Sequence, residues 1–316
     1  MSNFELDYNA LAPIVIFAYR RPEKLEKLIY SLKECPESKH SSLYIFLDKP
    51  NSELLKNVHF RMKKVISKID GFNEVLVSFR DEHLGLSQNI TNGISKVLKS
   101  NDRVIVLEED LVVSSTFLNY MNCALQVYDN CPEVFHISAH CDSMHRQYES
   151  DFYFTRKMDC WGWATWKNRW SSFVKNPEEL LKNALPETVK EFNFDGIYQL
   201  WDQIDKNATG QLDTWAVFWQ ASITSQSGLC LTPNKPFAIN TGQDGSGQHG
   251  IWSQETKKLN DTFNQTFLPE KIFDSTALVI TNFRALSAKN RVRRKVTEYY
   301  NRLSIGIKKR IKRIST

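Results

Sequence analysis

The chain has no long apolar run. Its longest candidates, Ile14 to Ala18 and Val104 to Leu107, fall far short of the roughly 20 residues a bilayer-spanning helix needs. The opening stretch MSNFELDYNA lacks both the basic segment and the apolar core of a secretory signal, so a cytoplasmic protein is expected. The six cysteines (Cys35, Cys123, Cys131, Cys141, Cys160, Cys230) include no CxxC pair. They read as reduced thiols in a chain too large to need disulfide staples. A zinc set of Cys131, His136, His140 and Cys141 fits no standard ligand spacing. Glycine is absent from the turn after the first apolar run, which reads Tyr-Arg-Arg-Pro. A sugar-1-phosphate nucleotidyltransferase would carry a glycine-rich phosphate loop there.

With 316 residues, 41 % of them hydrophobic and 24 % charged, the chain can bury a substantial core as one large domain or two fused lobes. Its net charge of +5 is unevenly spread. Residues 288–316 hold Lys289, Arg291, Arg293, Arg294, Lys295, Arg302, Lys308, Lys309, Arg310, Lys312 and Arg313 against the single acid Glu298. The tail therefore carries about +10 and the remainder about −5. Val292, Val296, Tyr299, Tyr300, Leu303, Ile307, Ile311 and Ile314 form one apolar stripe along it. A basic amphipathic helix of this kind suits an anionic membrane surface. Docking on the body and a solvated tail are the alternatives, and no recognition motif supports nucleic acid.

Strands alternate with helices in the first half. Ile14–Ala18 predicts a strand, followed by a helix with Leu25, Leu28, Ile29 and Leu32 on one face. Further strands are predicted at Leu43–Leu47, ending at Asp48, and at Val75–Phe79, ending at Arg80 and Asp81. The latter leads into a helix running to about Lys99. VIVLEED gives a fourth strand, and SSTFLNYMNCALQVY a helix capped by Ser114 or Ser115. This order implies an α/β fold with a mainly parallel sheet, whose ligands bind beyond the carboxyl ends of the strands. Tyr19, Arg20, Asp48, Arg80, Asp81 and the triplet Glu108, Glu109, Asp110 would gather there.

Consecutive acids on an extended backbone point to opposite sides, so one or two at most can share a ligand. Hard oxygen donors of this type select Mg²⁺ or Mn²⁺ between a carboxylate and substrate phosphates. Alternatively, the acids decorate the start of the following helix, where its dipole favours them.

The Arg-Arg-Pro strand end, the Asp after the second strand, the Arg-Asp-x-x-Leu-Gly-Leu-Ser segment and VLEEDLVVSSTFLNYM together resemble the nucleotide-sugar half of GT-A glycosyltransferases. The likeness is to the group containing eukaryotic N-acetylglucosaminyltransferase I and bacterial enzymes of surface-polysaccharide synthesis. It continues through FHISAHCDS and FTRKMDCWGWATW to LDTWAVFWQASITSQSGLCLTPNKPFAINTGQDGSGQHG, covering roughly residues 12–252. The triplet departs from the family pattern, reading Glu-Glu-Asp where Glu-Asp-Asp is usual, but retains the last Asp.

The resemblance implies a Rossmann-like, mostly parallel GT-A sheet with flanking helices, plus the basic tail. Residues 1–150 would form the nucleotide-sugar half, 151–270 the acceptor and catalytic-base half, and 271–316 the tail. Asp110 would coordinate Mn²⁺ or Mg²⁺ bridged to the donor diphosphate, and Glu109 would lie near the ribose. Arg20 would contact the diphosphate or base. Asp48 would accept a hydrogen bond from the base, which favours uracil, and Tyr19, Arg80 and Asp81 would lie near the nucleotide. The implied reaction is inverting transfer from a UDP-sugar, with N-acetylhexosamines included, to a glycan or lipid-linked saccharide at the inner face of a bacterial membrane. A retaining mechanism, a nucleotidyltransferase and a non-catalytic nucleotide-sugar binder are the rival readings.

Inversion needs a base facing the leaving diphosphate across the sugar. Of Asp195, Asp202, Asp205 and Asp213, the resemblance favours Asp213, in its Asp-x-Trp segment. Otherwise Asp213 would cap a helix starting at Thr214, with Trp215, Phe218 and Trp219 in the core. Trp163, Trp166 and Trp170 have the spacing of one helix face. Trp161 and Trp163 flank Gly162 on an expected loop where an indole could face a sugar. Trp215 and His249 join them as acceptor or lid residues. TGQDGSGQHG matches neither a dinucleotide nor a Walker pattern and suits a lid over the donor or a plain surface loop.

Overall fold

A computed structural model describes residues 4–141, 150–242 and 258–282, together with Arg284 and Ser287. The basic stretch 288–316 and, of the expected lid TGQDGSGQHG, residues 243–250 with His249 lie outside the described residues. The chain divides into two units, Met1–Thr276 and Ala277–Thr316. In the second, the Thr281 hydroxyl donates to the Ala277 carbonyl, a one-turn contact. The first holds the sheet.

The N-terminal half alternates β1 (Ile14–Ala18), α1 (Pro22–Lys33), β2 (Ser42–Leu47), α2 (Lys56–Ile66), β3 (Glu74–Phe79), α3 (Gly85–Val97) and β4 (Arg103–Glu108). The chain continues through β5 (Leu111–Val113), α4 (Phe117–Val127), β6 (Val134–Ser138), β7 (Phe152–Thr155), β8 (Trp163–Trp166) and α5 (Lys167–Trp170). Helices α6 (Pro177–Lys182), α7 (Pro186–Phe192), α8 (Trp201–Ala208) and α9 (Ala216–Ser225) precede β9 (Leu229–Pro233) and β10 (Ala238–Asn240). Among the described residues eight strands form one sheet in the order β3-β2-β1-β4-β8-β6-β9-β7. Strands β3, β2, β1 and β4 are mutually parallel, whereas β8 and β7 run antiparallel to their neighbours. The expected α/β architecture with a largely parallel sheet is what the chain adopts.

Burial on both faces explains the unbroken apolar reading of β1, all five of whose residues are buried. Ile14, Ile16, Ile105 and Leu107 pack against Leu25, Leu28, Ile29 and Leu32 of α1 and against α4. Val15, Phe17, Val104 and Val106 face Ile90 and Ile94 of α3 and the tryptophans of the C-terminal half. Val217, Phe218 and Ala221 of α9 form a third cluster with Phe192 and Ile204.

Three local expectations are corrected. CWGWATW contributes a strand, not a loop and helix: Trp163 and Trp166, three apart on β8, project to opposite faces and enter different clusters. The helix after the acidic triplet starts at Phe117, with Thr116 before it and no side-chain cap, because β5 intervenes and pairs antiparallel with β10. Nor does Asp213 cap a helix at Thr214. Helix α9 begins at Ala216, preceded by Trp215, with no side-chain cap.

Candidate active site

Chain order moves from β1 through β2 to β3 on one side, then crosses back to place β4 on β1's other side. This reversal opens a crevice at the carboxyl ends of β1 and β4, the position where open α/β sheets take ligands. Tyr19, Arg20 and Arg21 enter it from β1, and Glu108, Glu109 and Asp110 from β4.

The three acids have different surroundings. Glu108 continues the alternation of Val104 and Val106 toward the α3 side. It keeps some exposed surface but is densely surrounded. Burial, then repulsion from Asp110 and Glu109, pushes its carboxyl up to about 8. Glu109 is buried and pins the turn after β1, accepting hydrogen bonds from the Tyr19 amide (2.7 Å) and the Arg20 amide (3.3 Å). Burial raises its pKa, against the lowering effect of those amides. Both Glu109 oxygens thus serve the backbone.

Asp110 is the acid facing the crevice. Its Oδ2 forms an ion pair with Arg21 Nη1, while its Oδ1 is buried with no hydrogen-bond partner. The Thr241 amide and hydroxyl both donate to the Asp110 carbonyl, each at 2.8 Å. Lys24 Nζ donates to the Thr241 carbonyl. Gly242 then crosses so closely that a Cβ there would collide with the Asp110 carboxylate and lie 2.7 Å from Arg21 Nη1. A carboxylate with one orphaned buried oxygen fits a hard divalent cation. Among the described residues no group of three or more His, Cys, Asp or Glu could hold an ion. Further ligands to a cation at Asp110 would be water or a bound phosphate.

Asp48, 3 % exposed, lies at the α3 end of the crevice. It accepts from the Lys49 and Leu84 amides at 2.9 Å and the Gly85 amide at 3.0 Å, and His83 Nδ1 is 3.0 Å from its Oδ2. Its carboxylate therefore ties the β2 end to the positive end of α3. Arg80 stacks over Phe46 at 4.6 Å and its Nε donates to Asn89 Oδ1 (2.8 Å). Burial lowers its pKa. Asp81 is exposed, and its carbonyl accepts from Lys49 Nζ (2.6 Å).

Asp213 also reaches the start of α3. An ideal Cβ at Gly85 would lie 4.0 Å from its Oδ2, and its Oδ1 pairs with Lys175, whose Nζ also donates to Ser87 Oγ (2.8 Å). A continuous rim joins the two aspartates. It runs from Asp110 and Glu109 to Tyr19, whose ring meets His83 at 5.4 Å, then to Asp48, Gly85 and Asp213.

The aromatic candidates separate. Trp163 (1 % exposed) and Trp215 (3 % exposed) stack on each other at 5.3 Å inside the core, so neither offers a free face. Trp161 is half-buried, with its ring edge-on to His140 at 4.6 Å. Gly162, with φ +77°, sits between them where a Cβ would lie 3.0 Å from Ala238 Cβ. His136 stacks on Trp163, accepts from Trp219 Nε1 at Nδ1 (3.2 Å) and approaches the Asp159 carbonyl through Nε2 (3.0 Å).

Sequence reasoning missed Lys175, named Arg21 only as part of the turn after β1, and named Gly242 only within the lid segment. For Arg21 a signal existed. The residue before Pro22, the first of α1, is held out of helical geometry at φ −122°, ψ 72°. Arg21, rather than the exposed Arg20, is the arginine that reaches Asp110. Lys175 had no motif to mark it.

No protein-family model matches the chain, and no curated protein sequence matches it. A solved structure similar to it is the mannosyltransferase PcManGT from Pyrobaculum calidifontis, in complex with GDP-Man and Mn²⁺. The two are 10 % identical over 71 % of each chain, with a TM-score of 0.36. That likeness is too distant to assign this chain a function. No helix among the described residues is long and apolar enough to cross a membrane.

Proposed function

We propose that the chain is a glycosyltransferase that moves a sugar from a nucleoside diphosphate donor to a glycan or lipid-linked acceptor, with inversion, using a divalent cation at Asp110. The observation that carries this reading is Asp110 itself. Its carboxylate lies at the crevice where strand order reverses, has a buried orphaned oxygen, and has an arginine beside it. A bound Mn²⁺ or Mg²⁺ would supply Lewis-acid stabilisation of the departing diphosphate.

The chain's own residues divide the remaining work. Glu109 fixes the turn that presents Tyr19, Arg20 and Arg21. Asp48 fixes the start of α3, and with both oxygens engaged by amides it supports the nucleotide pocket rather than meeting the base unaided. Asp213 is the base, taking the acceptor hydroxyl's proton on the face opposite the diphosphate. Lys175, itself held by Ser87 Oγ, orients it. Trp161, part-exposed, is the candidate surface for a sugar ring.

The donor is taken to be a UDP-sugar, N-acetylhexosamines included, and the setting bacterial surface-polysaccharide synthesis at the inner membrane face. The basic tail would contact anionic lipid there. Thermal unfolding with UDP-, GDP-, CDP- and dTDP-sugars, with and without Mn²⁺, tests the donor site, since ligands of the native state raise apparent stability. The expected result is a Mn²⁺-dependent rise with one nucleotide class, lost in Asp110→Asn. No rise with any nucleotide would end the glycosyltransferase reading.

A further inference from the structure

The Arg21–Asp110 pair is more enclosed than a surface salt bridge, with side-chain exposures of 17 % and 14 %. A carboxylate held in that position without a counter-charge would be unfavourable. The space around it is small. Gly242 passes so near that even a methyl group would overlap the carboxylate and approach Arg21 Nη1 to 2.7 Å. The Thr241 segment is itself clamped by Lys24 and by the Asp110 carbonyl. With Oδ2 carrying the guanidinium and Oδ1 buried from solvent, a hydrated divalent ion has no open oxygen to approach while the pair stands.

We propose that Arg21 is a built-in counter-ion that stands in for the divalent cation at Asp110, so that the ion enters by displacing the guanidinium. This rests on the assignment of Asp110 as a cation ligand. Because Arg21 and the ion compete for one carboxylate, the pair lowers the affinity of the free protein for metal by the pair's own stability. Displacement leaves the guanidinium free to meet an anion, so ion and diphosphate strengthen each other's binding. Neither group then binds well alone, which ties metal uptake to arrival of the donor.

Titration of Mn²⁺ alone into the full chain, followed by loss of the free-ion electron paramagnetic resonance signal, tests this without any turnover. Arg21→Met is expected to bind Mn²⁺ about tenfold more tightly than the wild type, the low end of what a hydrogen bond to a charged group contributes. Added UDP or GDP should tighten the wild type much more than the variant. Asp110→Asn should abolish binding in either background. Should Arg21→Met misfold by circular dichroism, Arg21→Gln is used, with Arg21→Lys as the charge-retaining control that behaves like the wild type. If Asp110→Asn abolishes binding but loss of the Arg21 charge brings no gain, the counter-ion role is wrong and the cation site stands. If no variant binds Mn²⁺ with or without nucleotide, or Asp110→Asn binds as the wild type does, the cation assignment falls and takes this proposal with it.

Discussion

Two aspartates face one crevice, and each is paired with a basic residue, but the pairs differ in their surroundings. The Asp110 side chain is 14 % exposed and its neighbours are locked by backbone hydrogen bonds from Tyr19, Arg20 and Thr241. The Asp213 side chain is 59 % exposed, on a segment between two helices, and Lys175 reaches it from a separate stretch of chain. A charge that must hold a cation in register benefits from enclosure, because the local field is less screened. A charge that must take a proton from an incoming acceptor has to remain reachable. The difference in exposure matches the difference in proposed duty.

The largest effect should come from Asp110→Asn. Removing the charge that holds the cation is expected to lower transfer about a thousandfold, the scale of losing a main electrostatic stabiliser. Metal-dependent donor binding should disappear with it, as read by calorimetry with the nucleotide-sugar and Mn²⁺. Asp213→Asn should lower transfer by roughly a hundredfold to a thousandfold, as expected for a general base. Donor and metal affinity should stay within about twofold of the wild type, inside the range of a conservative surface change. A loss of donor binding in Asp213→Asn would erase the distinction between the two sites.

The enclosed site was the more legible in sequence, for a physical reason. Parallel strands buried on both faces leave uninterrupted apolar runs, and the polar residues that end them must lie at the sheet's carboxyl edge. Asp48, Arg80 and Asp110 could therefore be placed from Ile14–Ala18, Leu43–Leu47, Val75–Phe79 and VIVLEED alone. The C-terminal half gave no such signal. β8 is four residues long and wholly buried, so WATW carries no alternation to distinguish it from a helix face. Lys175 meets Asp213 across 38 positions, a pairing that only the packing of α9 against the sheet creates.

That packing brings a pH dependence of its own to the Asp213 side. Trp215 and Trp219, which lead from Asp213 into α9, rest on Trp163 and His136. Burial pushes the His136 imidazole down to about 4. Above pH 6.5 the imidazole is neutral in both folded and unfolded chains, and its contribution is complete. As pH falls from 6.5 toward 4, the unfolded chain takes a proton that the folded one refuses, and about 3 kcal/mol of stability is lost. Glu108, its carboxyl pushed up to about 8, gives a change of opposite sign over the same window, because the folded chain keeps a proton there that the unfolded one has lost. Urea unfolding at pH 7 and pH 4.5 should therefore show the His136 share as a difference: going to pH 4.5, His136→Gln, less stable at neutral pH, should gain on the wild type by about 3 kcal/mol.

The smallest effect should come from Lys175, and it separates a positioning residue from a catalytic one. Lys175→Met leaves Asp213 in place but removes its ion pair and the link to Ser87. Because that pair is largely open to solvent, its loss should reduce kcat by only about fivefold, the scale of an exposed salt bridge. KM for the donor should not move. Salt provides the independent readout. The Lys175–Asp213 pair is screened as ionic strength rises, since its charges are in contact with solvent, whereas the enclosed Arg21–Asp110 pair is much less so. Wild-type kcat should therefore fall modestly between 50 mM and 500 mM salt, and the Lys175→Met rate should not change with it. An equal salt response in both proteins would mean that Lys175 does not orient Asp213, and the exposed pair would then be an ordinary surface contact.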